Sequence, residues 1–81
     1  MYKNKSIDGR NNVCGEKVKE FRKAMPGSPS QREFSEMLQI SGLDVDKNAV
    51  QRIESGERFV TDIELKVLVK VLNVQYEDLL E

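Results

Sequence analysis

The sequence predicts an all-α domain of five short helices. Apolar residues recur at helical spacing in successive segments, two Ser/Thr-x-x-Glu capping boxes begin helices, and glycine or proline residues separate the segments. No segment offers a clear partner strand for a sheet. With 81 residues, the chain has room for one domain with a thin core.

The composition argues against several classes of function. One cysteine and no histidine leave no internal disulfide, no Cys/His zinc site and no thiol–imidazole pair. No glycine-rich nucleotide motif or metal-loop carboxylate spacing occurs. We therefore expect no enzyme, no cofactor and no metal site. Neither a membrane span nor a secretory signal is expected, because the longest uncharged apolar run is Val67-Leu68-Val69.

The charges are unevenly distributed, although the net charge is only −1. Residues 1–32 carry eight cations and three acids, whereas residues 33–81 carry five cations and eleven acids. These counts give +5 and −6 for the two segments. A near-neutral domain of this kind can still present one basic face to a partner.

The first segments are a polar arm and a helix. Residues 1–11 are polar and basic, which predicts a flexible arm before a folded domain at 12–81. An apolar stripe predicts the first helix, with Asn12 as its cap, and the prolines and glycine after Met25 end it. The stripe consists of Cys14, Val18, Phe21 and Met25. Cys14 and Phe21 are expected in the core.

Capping residues place the second and third helices. Ser30 and Glu33 form a capping box that begins a helix from about Gln31 to Gln39 or Ile40. Asp46 is the expected cap of the third helix, and Gly56 ends that helix in a left-handed conformation. The inward residues are Phe34, Met37 and Leu38 in the second helix, and Ala49, Val50 and Ile53 in the third.

A second capping box, Thr61 with Glu64, begins the fourth helix, and leucines recur there at helical spacing. The alternative is a strand, because valines also alternate through this segment. The capping box and the leucines favour the helix. Asn73-Val74 ends it, and Tyr76 to Leu80 predicts a last short helical turn.

The second and third helices with their tight connection form a helix-turn-helix, whose second helix can enter a major groove. With its apolar residues turned inward, the third helix points amide, cationic and hydroxyl side chains outward. Such side chains form hydrogen bonds with base edges. They are Lys47, Asn48, Gln51, Arg52 and Ser55. The simpler alternative is an ordinary solvated helix surface.

Several stretches of the sequence together form a recognisable pattern. The most specific is Ile53-Glu54-Ser55-Gly56-Glu57-Arg58, an Ile-Glu-x-Gly-x-Arg pattern. The others are Gly15 to Arg22, Gln31 to Ser35, Asp62 to Leu65, and Leu72 to Val74. With these stretches, which span roughly residues 13–80, the chain resembles the phage-repressor and Cro-type helix-turn-helix family (XRE-like).

The resemblance implies a five-helix lambda-repressor-like domain that binds double-stranded DNA as a cytoplasmic bacterial or phage repressor. One domain buries only about 600–1,000 Å² on DNA, so a homodimer is expected. Two features depart from the family pattern. The connection between the second and third helices is longer than usual and resembles a long-turn subgroup, and the chain is acidic overall.

The resemblance also implies roles for individual residues. The outward side chains Lys47, Asn48, Gln51, Arg52 and Ser55 map onto the base-reading face. Gln31, Arg32 and Arg58 map onto phosphate-contacting positions, and Gln31 also lies at a helix N-terminus, which favours anions. Arg22 and Glu54 are expected to form a partly buried structural ion pair. Lys3, Lys5 and Arg10 are expected in a solvated tail, with an arm along DNA as the alternative.

The location of the dimer contact and the class of binding partner each have an alternative. The dimer contact is expected at Val67, Val71, Tyr76, Leu79 and Leu80, unless the fourth helix is buried on two sides within one chain. The alternative function is a protein-interaction module of the same fold, an antitoxin or an adaptor, which the acidic residues 33–81 favour. An anti-repressor is a further possible protein partner.

Overall fold

The computed structural model describes residues 12–80, and this range contains five helices and no β-strand. The all-α prediction is confirmed, and the strand alternative for the fourth segment is wrong. The helices are α1 (Gly15–Ala24), α2 (Gln31–Ile40), α3 (Lys47–Ser55), α4 (Asp62–Leu72) and α5 (Tyr76–Leu80). The arm predicted at 1–11, with Lys3, Lys5 and Arg10, lies outside the described residues.

The predicted capping residues begin α2, α3 and α4. At α2 the backbone N–H of Glu33 donates to the Ser30 hydroxyl at 3.1 Å, and the Ser30 N–H donates to the Glu33 carboxylate at 2.9 Å. Thr61 forms the same reciprocal box at α4. Asp46 caps α3 by accepting from the Ala49 N–H at 2.8 Å. These contacts satisfy amide groups that have no partner inside a helix.

The capping box also changes the acidity of Glu33. The backbone N–H of Ser30 lowers the pKa of the Glu33 carboxyl below its ordinary value of 4.5, and the Ser30 side chain adds to the effect. Both interactions favour the ionised form.

Left-handed residues end two of the helices, and the conformation of Gly56 was predicted. Gly56 follows α3 with φ +86°, and Asn73 follows α4 with φ +58°. The turn after Gly56 is closed by N–H groups of Glu57 and Arg58, which donate to the Arg52 carbonyl at 2.9 and 3.1 Å. This turn fixes where α3 stops and where the chain leaves toward α4.

The core is built from residues of all five helices, with α3 packed against α1 and α2, and α4 packed against α1, α2 and α5. Its buried members are Cys14, Val18, Phe34, Leu38, Val45, Val50, Ile53, Val60, Leu65, Leu68, Leu72 and Leu79. Cys14 is fully buried, as expected. Phe21 is only half-buried and packs at the edge of this cluster. The prediction that Leu79 lies on a dimer surface is wrong, because its side chain is 0% exposed.

The start of α1 differs from the prediction. Cys14 occupies the cap position without a side-chain cap bond. Asn12 is buried instead, and its side-chain oxygen Oδ1 accepts from the backbone N–H of Gly15 at 2.7 Å. Its side-chain NH₂ group donates to the backbone carbonyls of Ile53 at 3.1 Å and Arg58 at 2.8 Å. Asn12 therefore joins α1 to the end of α3, where carbonyl groups need donors from outside the helix.

The long connection between α2 and α3 is held at several points. Its Leu43 N–H donates to the Leu38 carbonyl at 2.9 Å, and the Gln39 side chain donates to the Val45 carbonyl at 2.7 Å. Val45 is buried in the core immediately before the cap of α3. Gly42, with φ +99°, allows the turn between these contacts.

No helix in residues 12–80 combines the length and the apolar character needed to cross a membrane.

Candidate nucleic-acid interface

The outer face of α3 is open to solvent. All five side chains predicted to read bases are exposed there: Lys47, Asn48, Gln51, Arg52 and Ser55. Within residues 12–80, neither Lys47 nor Arg52 has an ion-pair partner. The Ser55 hydroxyl donates to the Arg52 carbonyl at 3.1 Å, so its hydrogen is turned back onto the helix. The face therefore offers two cations and two amides to a ligand.

Each end of this face borders a cleft in which acids accompany the cations. At the N-terminal end, Lys47 shares a cleft with Arg32 and with the carboxylates of Glu36 and Asp46. At the C-terminal end, Arg52 shares a cleft with Arg58 and with the carboxylates of Glu57 and Glu64. Both clefts therefore combine two cations with two acids, which partly offset the positive charge there.

The inner face of α3 is fixed by an ion pair to α1. The Arg22 guanidinium forms two parallel hydrogen bonds with the Glu54 carboxylate, at 2.7 and 3.0 Å. The side chains are only 8% and 3% exposed. Arg22 also donates to the Pro29 carbonyl at 2.8 Å, which ties the loop before α2 to the same site. Arg22 and Glu54 thus form the structural pair that the resemblance implies.

Gln31 joins this network at the first position of α2. Its side-chain amide donates to Glu54 Oε1 at 3.0 Å, and the residue is half-buried. A glutamine amide carries two N–H donors, so one of them remains after this bond. The hydrogen bond to Glu54 consequently fixes the orientation of the Gln31 side chain. The second N–H of its amide can still donate to an anion.

Arg32 and Arg58, the other two predicted phosphate contacts, lie in different environments. Arg32 is exposed on α2, and none of residues 12–80 forms an ion pair with it. Arg58 donates to the Glu64 carboxylate at 2.8 Å, and its side chain is 31% exposed. Its Nη1 atom is buried and has no hydrogen-bond partner among residues 12–80. The charge of Arg58 is therefore partly offset by the capping glutamate of α4.

A groove between α1 and α3 contains a cation that sequence reasoning missed. Five residues from three helices line it: Lys19, Gln31, Gln51, Glu54 and Ser55. Lys19 is exposed on α1 and has no ion-pair partner among the described residues. Its position could have been inferred, because it lies three residues before Arg22, and residues so spaced share a helix face.

Gly15 is a second residue whose importance was missed. A Cβ atom at this position would lie 2.2 Å from the Ile53 carbonyl oxygen and 3.0 Å from the Glu54 carbonyl oxygen. The glycine therefore allows α1 to approach the backbone of α3 closely. The only signal in the sequence is a glycine at the start of a helix, where glycine has a poor helix propensity.

No group of three or more Cys, Asp or Glu side chains within residues 12–80 is placed to hold a metal ion.

Comparison of the chain with protein-family models, with curated proteins and with solved structures found no match.

Proposed function

We propose that this protein is a sequence-specific regulator that binds double-stranded DNA through α3, in a five-helix lambda-repressor-like fold. The observation that carries the proposal is the outer face of α3, where amide and cationic side chains are exposed. Arginine and lysine pair with guanine, and asparagine and glutamine pair with adenine, in the major groove. The nine residues of α3 span about 14 Å, at ~1.5 Å per residue, which suits one passage through that groove.

The surroundings of α3 support an unequal use of its side chains. Among the proposed base contacts, Ser55 contributes least, because its hydroxyl already donates to the Arg52 carbonyl. Gln31 and Arg32 are the proposed phosphate contacts on α2. Arg58 contributes less, because Glu64 already holds its guanidinium.

Regulation would be steric, with a bound homodimer occupying an operator and blocking transcription. A symmetric dimer would place two copies of α3 on half-sites about 34 Å apart. Tyr76 and Leu80 are 44% and 37% exposed and are the proposed centre of the dimer contact, to which the partly buried Val67 and Val71 of α4 are proposed to add. Analytical ultracentrifugation of Tyr76→Lys tests this contact, and unchanged association would contradict it.

Selection of duplexes from a random pool at low salt, followed by titration at increasing salt, tests DNA binding. We expect an enriched motif, and the logarithm of affinity should fall by ~0.9 per phosphate neutralised. Arg52→Ala should relax discrimination at one base position by ~1–3 kcal/mol. Lys66→Ala on α4 is the matched control and should leave the preferred sequence unchanged. Failure to enrich any motif would refute the proposal.

The second candidate is a protein-interaction module of the same fold. The acidic balance of residues 33–81 favours it, as do the exposed side chains of Ile40 and Ile63, at 88% and 58%. Such a module would not show sequence-dependent, salt-sensitive binding to duplex DNA. The same titration therefore separates the two candidates.

A further inference from the structure

We propose that the groove between α1 and α3 holds one phosphate of the DNA backbone and that Lys19 supplies its charge. The groove is the one lined by Lys19, Gln31, Gln51, Glu54 and Ser55. This inference rests on the proposed function and adds α1 to the DNA-contacting surface, which is otherwise confined to α2, α3 and the turn after α3.

The charge of the groove favours an anion despite the glutamate in its wall. The Glu54 carboxylate is 3% exposed and accepts two hydrogen bonds from Arg22 and one from Gln31. Its negative charge is balanced by the guanidinium that it contacts. Lys19 lies at the same groove without an ion-pair partner among residues 12–80, so the balance of charge there is positive.

The neighbouring lysine on α1 is in a different situation. Lys17 lies 3.7 Å from the Glu20 carboxylate, and this i,i+3 contact offsets its charge at the surface. Lys23 is exposed on α1 too but does not line the groove, so Lys19 is the exposed α1 lysine that the groove includes.

The hydrogen-bond donors at the groove also fit a phosphate. Lys19 has three N–H donors, and Gln31 keeps the amide hydrogen that Glu54 does not use. Gln51 adds a further amide from the outer face of α3. Ser55 contributes little, because its hydroxyl donates to the Arg52 carbonyl.

The position of Gln51 relates the groove to the reading of bases. Gln51 belongs both to the outer face of α3 and to the groove wall. A phosphate bound there would lie beside α3, where the DNA backbone borders the major groove that α3 enters. Contacts of this kind fix the orientation of a protein on DNA and carry no sequence information.

The test compares wild type, Lys19→Ala, Lys19→Arg and Lys66→Ala on the selected duplex and on an unrelated duplex. We expect Lys19→Ala to weaken binding to both duplexes by the same factor and to reduce the salt slope by ~0.9. The ratio of wild-type to variant affinity should then fall about 3.5-fold between 50 and 200 mM salt. Lys19→Arg should keep the wild-type slope, and Lys66→Ala should match wild type.

The outcomes distinguish this inference from the proposed function. If Lys19→Ala retains the wild-type salt slope while wild type still selects a motif, the phosphate site is refuted and the proposed function stands. Loss of discrimination at one base position would refute it too, because Lys19 would then contact a base. If wild type selects no motif, both proposals fail. Thermal unfolding of Lys19→Ala should match wild type, which excludes a folding defect.

Discussion

The two faces of α3 differ in how their polar groups are engaged. On the inner side, Glu54 is bound by Arg22 and Gln31, and the Ile53 carbonyl is bound by the buried Asn12. On the outer side, the amides and cations of residues 47–52 are exposed. The inner contacts hold the helix in place, so that the exposed side chains share one rigid support. The side chains that position this nine-residue helix are therefore different from those it exposes to solvent.

Glu54→Ala should produce the largest loss of stability among the changes considered. It leaves the Arg22 guanidinium buried without its carboxylate and frees Gln31, which should lower the free energy of unfolding by about 3–5 kcal/mol. Gln51→Ala, on the outer face, should change it by no more than about 0.5 kcal/mol. Urea unfolding followed by circular dichroism measures both, and equal effects would contradict the division between the faces.

Gly15→Ala should destabilise the fold by about 1–3 kcal/mol, because the new methyl group meets the Ile53 carbonyl at 2.2 Å. Helix propensity alone predicts the opposite sign, since alanine favours a helix over glycine by about 1 kcal/mol. Thermal unfolding of the variant distinguishes the two. A rise in the midpoint would show that α1 and α3 are not in close contact.

The smallest expected effect concerns the capping box of α2. Because the pKa of Glu33 is lowered in the folded protein, the unfolded state binds more protons in acid. The stabilisation is present at neutral pH and is lost as the pH falls through the lowered pKa. Glu33→Gln replaces the carboxylate of the capping box by an uncharged amide of similar shape. Its stability difference from wild type should shrink between pH 7 and pH 3 in urea titrations, and a constant difference would contradict this.

The helices could be predicted from the sequence because their signals are local. Ser30 with Glu33, Thr61 with Glu64, Asp46 and Gly56 each act within about one helical turn, and the structure places all of them as expected. The exposure of the outer face of α3 followed from the apolar positions of the same helix.

The remaining features depend on residues distant in the chain. Asn12 bonds to a carbonyl 41 residues away, and the role of Gly15 appears only when α1 is packed against α3. Leu79 was misplaced because a helix of five residues has too few apolar positions to show which side faces the core. Arg58 was predicted to contact phosphate, and the structure pairs its guanidinium with Glu64 on the next helix.

The connection between α2 and α3 has a consequence for changes of loop length. The start of α3 is fixed by buried Val45 and by the Asp46 cap, and its inner face by the ion pair of Arg22 with Glu54. Insertions or deletions between Ser41 and Asp44 should therefore be taken up within the loop, and α3 should keep its position against α1. This segment is accordingly the part of the helix pair in which the chain can change length at the lowest cost in stability.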